Sequence, residues 1–352
     1  MNVSIKRHTL MMVAIAALVA TAWHFGIVSS NEASMAGLLG ITMNTAGARV
    51  IDPILTTVAQ GYQNAEFVGM NLFPSVPVGQ RGGKIITFGK EDFALYATAR
   101  APGAGTKRIQ FGYSGAAYAL EQHALEGLVP FEIMQEAAAV PGIDLGRGAI
   151  VKVQNTIGLR LEYAQAVLAT TAGNYAASNK VTLAGVDQWS DYSGTSDPVD
   201  DIEVAKEAIR AKVGKRGNTV VMGAAVFAKL RQHPKIIDRI KYTSRDSATP
   251  ELLAALFGVK RVLVGDAVYA DAAGNFVDVW GKFCVVAYTD LATLADMGTP
   301  SYGYTYRLNG FPTVEQPYED RNAKSWVYPV TDEVSPVIAA ALGGYLISGA
   351  VA

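Results

Sequence analysis

The spacing of apolar positions changes several times along the chain, and each change marks an element. The clearest helical spacing lies in "IDLGRGAIVKVQNTIGLRLEYAQAVLATTAGN", where Ile150, Val153, Ile157, Leu161, Ala164 and Leu168 recur three and four residues apart. Asp144 stands where a cap is needed and Gly173-Asn174 where a stop is needed. The pattern predicts a helix over 145–172, roughly 42 Å long at 1.5 Å per residue. Gly146, Gly148 and Gly158 each cost about 1 kcal/mol relative to alanine inside a helix, so packing rather than propensity must hold it.

Before this helix the period drops to two. "KIITFGKEDFALYATAR" and "KRIQFGYSGAAYALEQ" are rich in β-branched and aromatic residues and flank the flexible "APGAGT". They predict a hairpin whose arms, of up to about 15 residues at about 3.3 Å each, reach roughly 50 Å. A two-stranded ribbon cannot bury both faces and is marginal alone, so this one needs another surface, in its own chain or in a neighbour. Arg81, Lys84, Lys90, Arg100, Lys107 and Arg108 cluster on it. They read either as a solvated rim or as contacts to acidic patches on a neighbouring subunit. Upstream, "ARVIDPILTTVAQGY" allows a short helix that starts or breaks at Pro53, and "NLFPSVPVGQRGGK" reads as an extended arm.

Downstream, "SDYSGTSDP" is a polar linker into an α/β region. "DDIEVAKEAIRAKVG" is an amphipathic helix capped by Asp200 or Asp201, with Ile202, Ala205, Ile209 and Val213 inward and Gly214 as its stop. "NTVVMG" is a buried strand, "AAVFAKLRQHP" a helix ended by Pro234, and "PELLAALFG" a further helix. "VKRVLVG" and "KFCVVAY" are strands, and between them "AGN" turns "VYADA" into "FVDVW". From "SYGYTYRL" to the end the chain reads as several more strands.

Composition narrows the function. The 352 residues suffice for one large domain or two modest ones. Only 17% are charged, against a usual value near ~25%, and half are hydrophobic. That suggests surface buried against other chains, although richness in Ala and Gly raises the same statistic. A net charge of −1 excludes a globally basic nucleic-acid binder. Cys284 is the only cysteine, so no intrachain disulfide forms, and its place in "FCVVAY" marks a buried structural thiol.

Catalytic patterns fail on inspection. In "VGQRGGKI" Val78 stands where a phosphate loop needs its first glycine, and Ile85 where it needs Ser or Thr. In "FGYSGAA" Ala116 replaces the last glycine of a nucleophile elbow. His8, His24, His123 and His233 show no metal-ligand spacing, and His233, before Pro234, reads as a capping or solvent-facing residue. Of the adjacent acids, Asp200-Asp201 read as helix N-terminal charge. Glu91-Asp92, Glu319-Asp320 and Asp332-Glu333 read as solvated surface. No catalytic, cofactor-binding or metal-binding residues are expected, and the chain is not read as an enzyme.

The order of parts and the wording then agree with one family. "DPILTTVAQGYQNAEFVGMNLFPSVPVGQRGGKIITFGKEDF" resembles the N-terminal arm and the start of the extended loop in major capsid proteins of tailed bacteriophages. "VVMGAAVFAKLRQHPKIIDRIKY" and "ELLAALFGVKRVLVGDAVY" resemble the same family's axial domain. The resemblance spans roughly residues 36–352. It implies an α+β chain with the shell-protein fold shared by tailed phages, herpesviruses and encapsulins. Residues 35–80 would be the N-terminal arm, and 81–122 the extended β-hairpin loop lying over an adjacent subunit. Residues 123–185 and 289–325 would be the peripheral domain with its long spine helix. Residues 186–288 and 326–352 would be the mixed α/β axial domain at the centre of each hexamer or pentamer. The implied function is self-assembly, through hexamers and pentamers, into an icosahedral phage head enclosing double-stranded DNA without sequence specificity. The implied place is the virion, assembled in the host cytoplasm. Further partners would be portal and decoration or scaffolding proteins, with no cofactor and no small-molecule substrate. Two rivals remain at this point: an encapsulin-type nanocompartment shell, and an exported, membrane-tethered binding protein suggested by residues 1–28.

That second rival rests on "MNVSIKRHTLMMVAIAALVATAWHFGIV". Its basic Lys6 and Arg7, apolar run and "ATA" at 20–22 fit a secretory signal. His24 and several alanines weaken it as a membrane span, and "MAGLLGITMNTAGARVIDP", opening at Met35, resembles the family's usual start. Residues 1–34 are therefore expected to be an apolar extension from an upstream start or a loose arm, with an ordered arm and a signal or anchor as the alternatives.

Overall fold

The computed structural model describes residues 67–84, 98–100, 117–138, 144–193, 195–240, 248–290 and 301–352, with Pro102, Thr106 and Arg108 between. All of these belong to one compact unit, residues 51–352. The extension 1–34, the helix around Pro53 and most of the ribbon, including Lys90 and Lys107, lie outside the described residues.

The chain opens with a single helical turn, α1 (Gly69–Leu72), then β1 (Ser75–Val78), β2 (Gly82–Lys84), β3 (Ala117–Ala119) and β4 (Glu121–Pro130). Two helices follow, α2 (Phe131–Ala138) and the long α3 (Leu145–Thr170), and then β5 (Lys180–Thr182). The α/β region runs α4 (Pro198–Val213), β6 (Thr219–Gly223), α5 (Ala224–Leu230), α6 (Pro234–Ile240), α7 (Pro250–Phe257) and β7 (Arg261–Gly265). A short hairpin, β8 (Val268–Ala270) and β9 (Phe276–Asp278), precedes β10 (Cys284–Ala287). The closing strands are β11 (Gly303–Leu308), β12 (Thr313–Val314), β13 (Tyr318–Asp320), β14 (Ser325–Ile338) and β15 (Gly344–Ser348).

Helix α3 starts where the sequence predicts, with the Asp144 carboxylate accepting from Arg147 N at 3.0 Å. It stops two residues early, at Thr170, and Asn174 acts through its side chain, donating to the Leu168 carbonyl at 2.8 Å. Two of its glycines are explained by close approach: a Cβ at Gly146 would lie 2.6 Å from the Tyr328 hydroxyl, and one at Gly158 2.8 Å from the Phe67 ring. The predicted inward set of α4 is buried and Gly214 ends it with φ of 70°. Its cap is Asp197 rather than Asp200 or Asp201, because Pro198 takes the first helical position, where the missing N–H costs nothing. Pro234 likewise opens α6 instead of closing α5, which ends at Leu230.

Two sheets organise the rest. In the first, β14 is the backbone: β4 runs antiparallel along one edge from the Ser325–Pro130 pair to the Val334–Glu121 pair. Along its other edge β13, β12 and β11 pair in succession, and β1 adds in parallel to β11. Pro77 is tolerated in β1 because an edge strand has one side free of ladder bonds. The second sheet has the order β5-β15-β10-β6-β7. Of the strands after 324, β14 pairs within the first sheet and β15 within the second. A long alternating strand and a short buried one read alike without their partners.

The second sheet is buried on both faces. Val220, Met222, Cys284, Val286 and Ile347 pack under Ile202 and Ile209 of α4, Leu230 of α5 and Leu253 and Phe257 of α7. Val221, Val285 and Leu346 point the other way, onto Trp280, Tyr302 and Ala166 and Ala169 of α3. Nearer its start, α3 lays Ile150 and Val153 on Val314 and Val330 of the first sheet. One helix thus bridges both sheets. Among the described residues, no helix is long and apolar enough to cross a membrane.

Candidate assembly site

The described root of the segment expected to form a ribbon is fixed to the first sheet. β2 and β3 pair antiparallel, Gly82 with Ala119 through Lys84 with Ala117. Beside them Arg81 forks onto Glu333 of β14, with Nε 2.7 Å and Nη2 2.9 Å from the two carboxylate oxygens. Leu120 N donates to the Arg81 carbonyl at 2.8 Å, and Tyr118 stacks on Tyr306 with ring centroids 4.5 Å apart. Of the six basic residues singled out in the sequence, Arg81 is thus engaged within its own chain. Lys84, Arg100 and Arg108 are exposed.

Asp332 and Glu333 are not solvated surface: they are 4% and 2% exposed. Glu333 holds Arg81, while Asp332 lies 3.1 Å from Arg307 and directly across β4 from His123. Burial pushes the Asp332 carboxyl above its ordinary range, against the pull of Arg307. Neighbouring residues on a strand point to opposite faces, so these two acids cannot converge on one substrate atom. They serve as anchors for two arginines. Asp200 and Asp201 do sit in the first turn of α4, as expected.

A second cluster ties the N-terminal arm to α3 and the second sheet. Glu162 on α3 is 1% exposed; its carboxylate accepts from Val68 N at 3.0 Å, Gly69 N at 2.9 Å and Trp280 Nε1 at 2.7 Å. Burial pushes this carboxyl up, while the hydrogen bonds from Trp280, Gly69 and Val68 oppose the shift. One turn on, Gln165 Nε2 donates to Thr305 Oγ1 at 2.8 Å, which in turn donates to the Phe73 carbonyl at 3.0 Å. Arg261 reaches Asn71 Oδ1 at 3.2 Å and the Thr219 and Thr289 hydroxyls at 3.1 Å. Gly223 and Gly265 are register partners, and a Cβ at Gly265 would lie 2.1 Å from the Trp280 ring. Gly265 leaves room for the Trp280 ring, while a Cβ at Gly223 would lie 1.9 Å from the Gly281 carbonyl oxygen, so Gly223 admits the backbone that carries it.

Sequence reasoning missed this cluster. The signal was present in the stripe Glu162, Gln165, Ala166, Ala169, where polar and small residues share a face at helical spacing. The chemistry there is mechanical: it fastens three segments. His233 Nδ1 accepts from Lys235 N at 3.3 Å, so it caps the start of α6, but it is buried rather than solvent-facing. Cys284 is buried, and burial pushes its thiol up, away from nucleophile behaviour. Among the described residues no group of His, Cys, Asp and Glu is placed to hold a metal ion.

Comparison with known proteins agrees with this picture of fastened segments. Residues 174–326 match the family described as "Phage major capsid protein E". The major capsid protein of Burkholderia phage BcepMu is 41% identical over 305 residues, covering 86% of this chain and 97% of that protein. The major capsid protein of Pseudomonas phage JBD67 is 30% identical over 270 residues, covering 74% and 82%. A solved phage-related protein from Bordetella bronchiseptica RB50 superposes with a TM-score of 0.73 at 44% identity, over 86% of this chain and 98% of that one. The capsid of cyanophage P-SCSP1u, 10% identical, superposes with a TM-score of 0.53 over 82% and 89% and bears on the fold alone. The expected α+β capsid fold is therefore present, and neither the encapsulin nor the exported-protein reading has comparable support. With a relative 41% identical over nearly its whole length, the chain belongs to the family of phage major capsid proteins, structural components of the virion.

Proposed function

We propose that copies of this subunit join into hexamers and pentamers, close into an icosahedral head, and enclose double-stranded DNA. The ribbon 81–122 lies over an adjacent copy, the first sheet and α3 form the outer, peripheral part, and the second sheet lies toward the ring centre. Rings of this kind use head-to-tail edges, and many modest contacts per subunit reinforce one another. The observation that carries the reading is the ribbon's root. Arg81 and Tyr118 clamp its base to the first sheet, Leu120 ties its two arms together there, and the arms beyond hold two-faced apolar sequence that a lone ribbon cannot bury. Arg81 then fixes the direction of the ribbon, while Lys84, Lys90, Arg100, Lys107 and Arg108 meet the neighbour. DNA is met through phosphates, without base reading. Portal and decoration or scaffolding proteins complete the particle.

The test replaces residues 85–116 with a short Gly-Ser turn joining β2 to β3. Sedimentation and negative-stain imaging should find particles for the full chain and only small folded species for the shortened one. Equal assembly by both, or no particles from the full chain, would overturn the reading.

A further inference from the structure

The β8–β9 hairpin stands apart from both sheets. Val268 pairs with Asp278, Tyr269 with Val277 and Ala270 with Phe276, and among the described residues no third strand joins them. Its turn is built rather than loose. Asp271 accepts from Ala273 N at 2.9 Å and from Asn275 N at 2.8 Å, and Gly274 takes φ of 83°, a conformation glycine adopts without strain. Alternation sends Tyr269 and Val277 to one face and Val268, Ala270, Phe276 and Asp278 to the other. The first face leans on α3, with Tyr269 edge-on to Tyr163 at 5.1 Å. On the second, Val268 is 43% exposed and Phe276 80%, the highest exposure of any large apolar side chain among the described residues. Covering one such ring is worth about 1.5–3 kcal/mol. A stiff two-stranded element that holds a phenylalanine out in water is a surface prepared for a partner.

Charge says which partner. Between 266 and 278 the hairpin carries Asp266, Asp271 and Asp278 and no lysine or arginine. Between 81 and 116 the extended ribbon carries six basic residues and two acidic ones, interleaved with Phe88, Phe93, Tyr96, Phe111 and Tyr113. The hairpin exposes an apolar face, the ribbon's sequence is rich in aromatics, and their signs are opposite. We propose that the β8–β9 hairpin is the seat for the extended ribbon of a neighbouring copy, with Phe276 packed among the ribbon's aromatics and Asp266 and Asp278 facing its bases. The inference rests on the assembly reading above and adds the acceptor surface to it. The edge strand β4, with Leu125 and Glu121 on one face and Leu128 and Glu126 on the other, is the competing seat.

Charge reversal tests this on the full-length chain. Asp266→Lys with Asp278→Lys should leave the circular dichroism of the subunit unchanged and lower particle yield about tenfold at low salt. Reversing the ribbon alone, by Lys90→Asp, Lys107→Asp and Arg108→Asp, should do the same. Combining both sets should return the yield to within about twofold of wild type, because opposite signs meet again. Phe276→Ser is the uncharged check, expected to fold normally and assemble poorly. Unchanged yields for the hairpin variants while wild type assembles would overturn this inference and leave the assembly reading standing. Rescue of the reversed ribbon by Glu121→Lys with Glu126→Lys, and not by the hairpin set, would move the seat to β4. A wild-type chain that forms no particles would instead sink the assembly reading itself.

Discussion

The two sheets share one helix and end in opposite conditions. All five residues of β6 are buried, and side chains from both faces of its sheet enter apolar clusters. In the first sheet, β4 leaves Leu125 at 42% and Leu128 at 54% exposed, and the cluster under α3 holds only Ile150, Val153, Val314 and Val330 as buried members. The second sheet completes itself within the chain. The first buries its middle but leaves the edge strand β4 largely open to water. A shell subunit needs this division: one part must hold its shape before assembly, and another must retain surface worth burying during it. Changes in the second sheet should therefore act on the folded subunit, and changes on the rim of the first should act on the particle.

The largest effect should come where both parts are fastened. Glu162→Ala leaves Val68 N, Gly69 N and the Trp280 indole without their acceptor, in a site closed to water. A loss of about 4 kcal/mol of subunit stability is expected, measured by urea unfolding of the dissociated chain. Glu162→Gln separates charge from shape. The folded-state value of this carboxyl is raised, so its stabilising contribution is full below the ordinary glutamate range and is lost as pH rises through the raised value. Wild type should thus lose stability relative to Glu162→Gln as pH climbs from about 4 toward neutrality. A constant difference across that window would remove burial as the cause. Next in size is Leu253→Ala, which opens a cavity among residues on the helical side of the second sheet. It should cost about 3 kcal/mol in the same assay.

What the sequence revealed follows the same division. The α/β region was readable because its helices carry local punctuation: the stripe from Ile202 to Val213, closed by Gly214, specifies α4 almost alone. The start of α3 was readable from Asp144 for the same reason. The partners of β14 were not, because pairing 325–334 with 121–130 links residues nearly two hundred positions apart through no local signal. For that reason Asp332 and Glu333 looked like surface charge: the arginines that bury them, Arg307 and Arg81, come from other strands and turns. Glu162 was hidden differently. A glutamate on a helix is ordinarily solvated, and here Trp280, seated against Gly265, and the Val68 and Gly69 amides hold it inward.

A smaller effect should appear at Asp197, whose carboxylate accepts from Val199 N at 3.2 Å and Asp200 N at 3.3 Å at the head of α4. Asp197→Ala should cost about 1 kcal/mol, and Asp200→Ala much less if the cap is correctly assigned. The two variants compared by thermal unfolding check that assignment directly.

The sharpest test of the division lies on β4, at the edge of the first sheet. Leu125 and Leu128 lie on opposite faces of β4, and each is already in contact with water in the isolated chain. Each is about half buried, so replacing both with serine should shift unfolding by about 2 kcal/mol. In the particle each copy repeats the change. The apolar surface lost from one chain is then lost around every ring, and the protein concentration needed for assembly should rise by about tenfold. Urea titration and a sedimentation assay across concentration measure the two quantities separately. If the double variant lost far more stability than this yet assembled normally, the edge of the first sheet would belong to the subunit's own core, and the contrast between the two sheets would fail at its most exposed point.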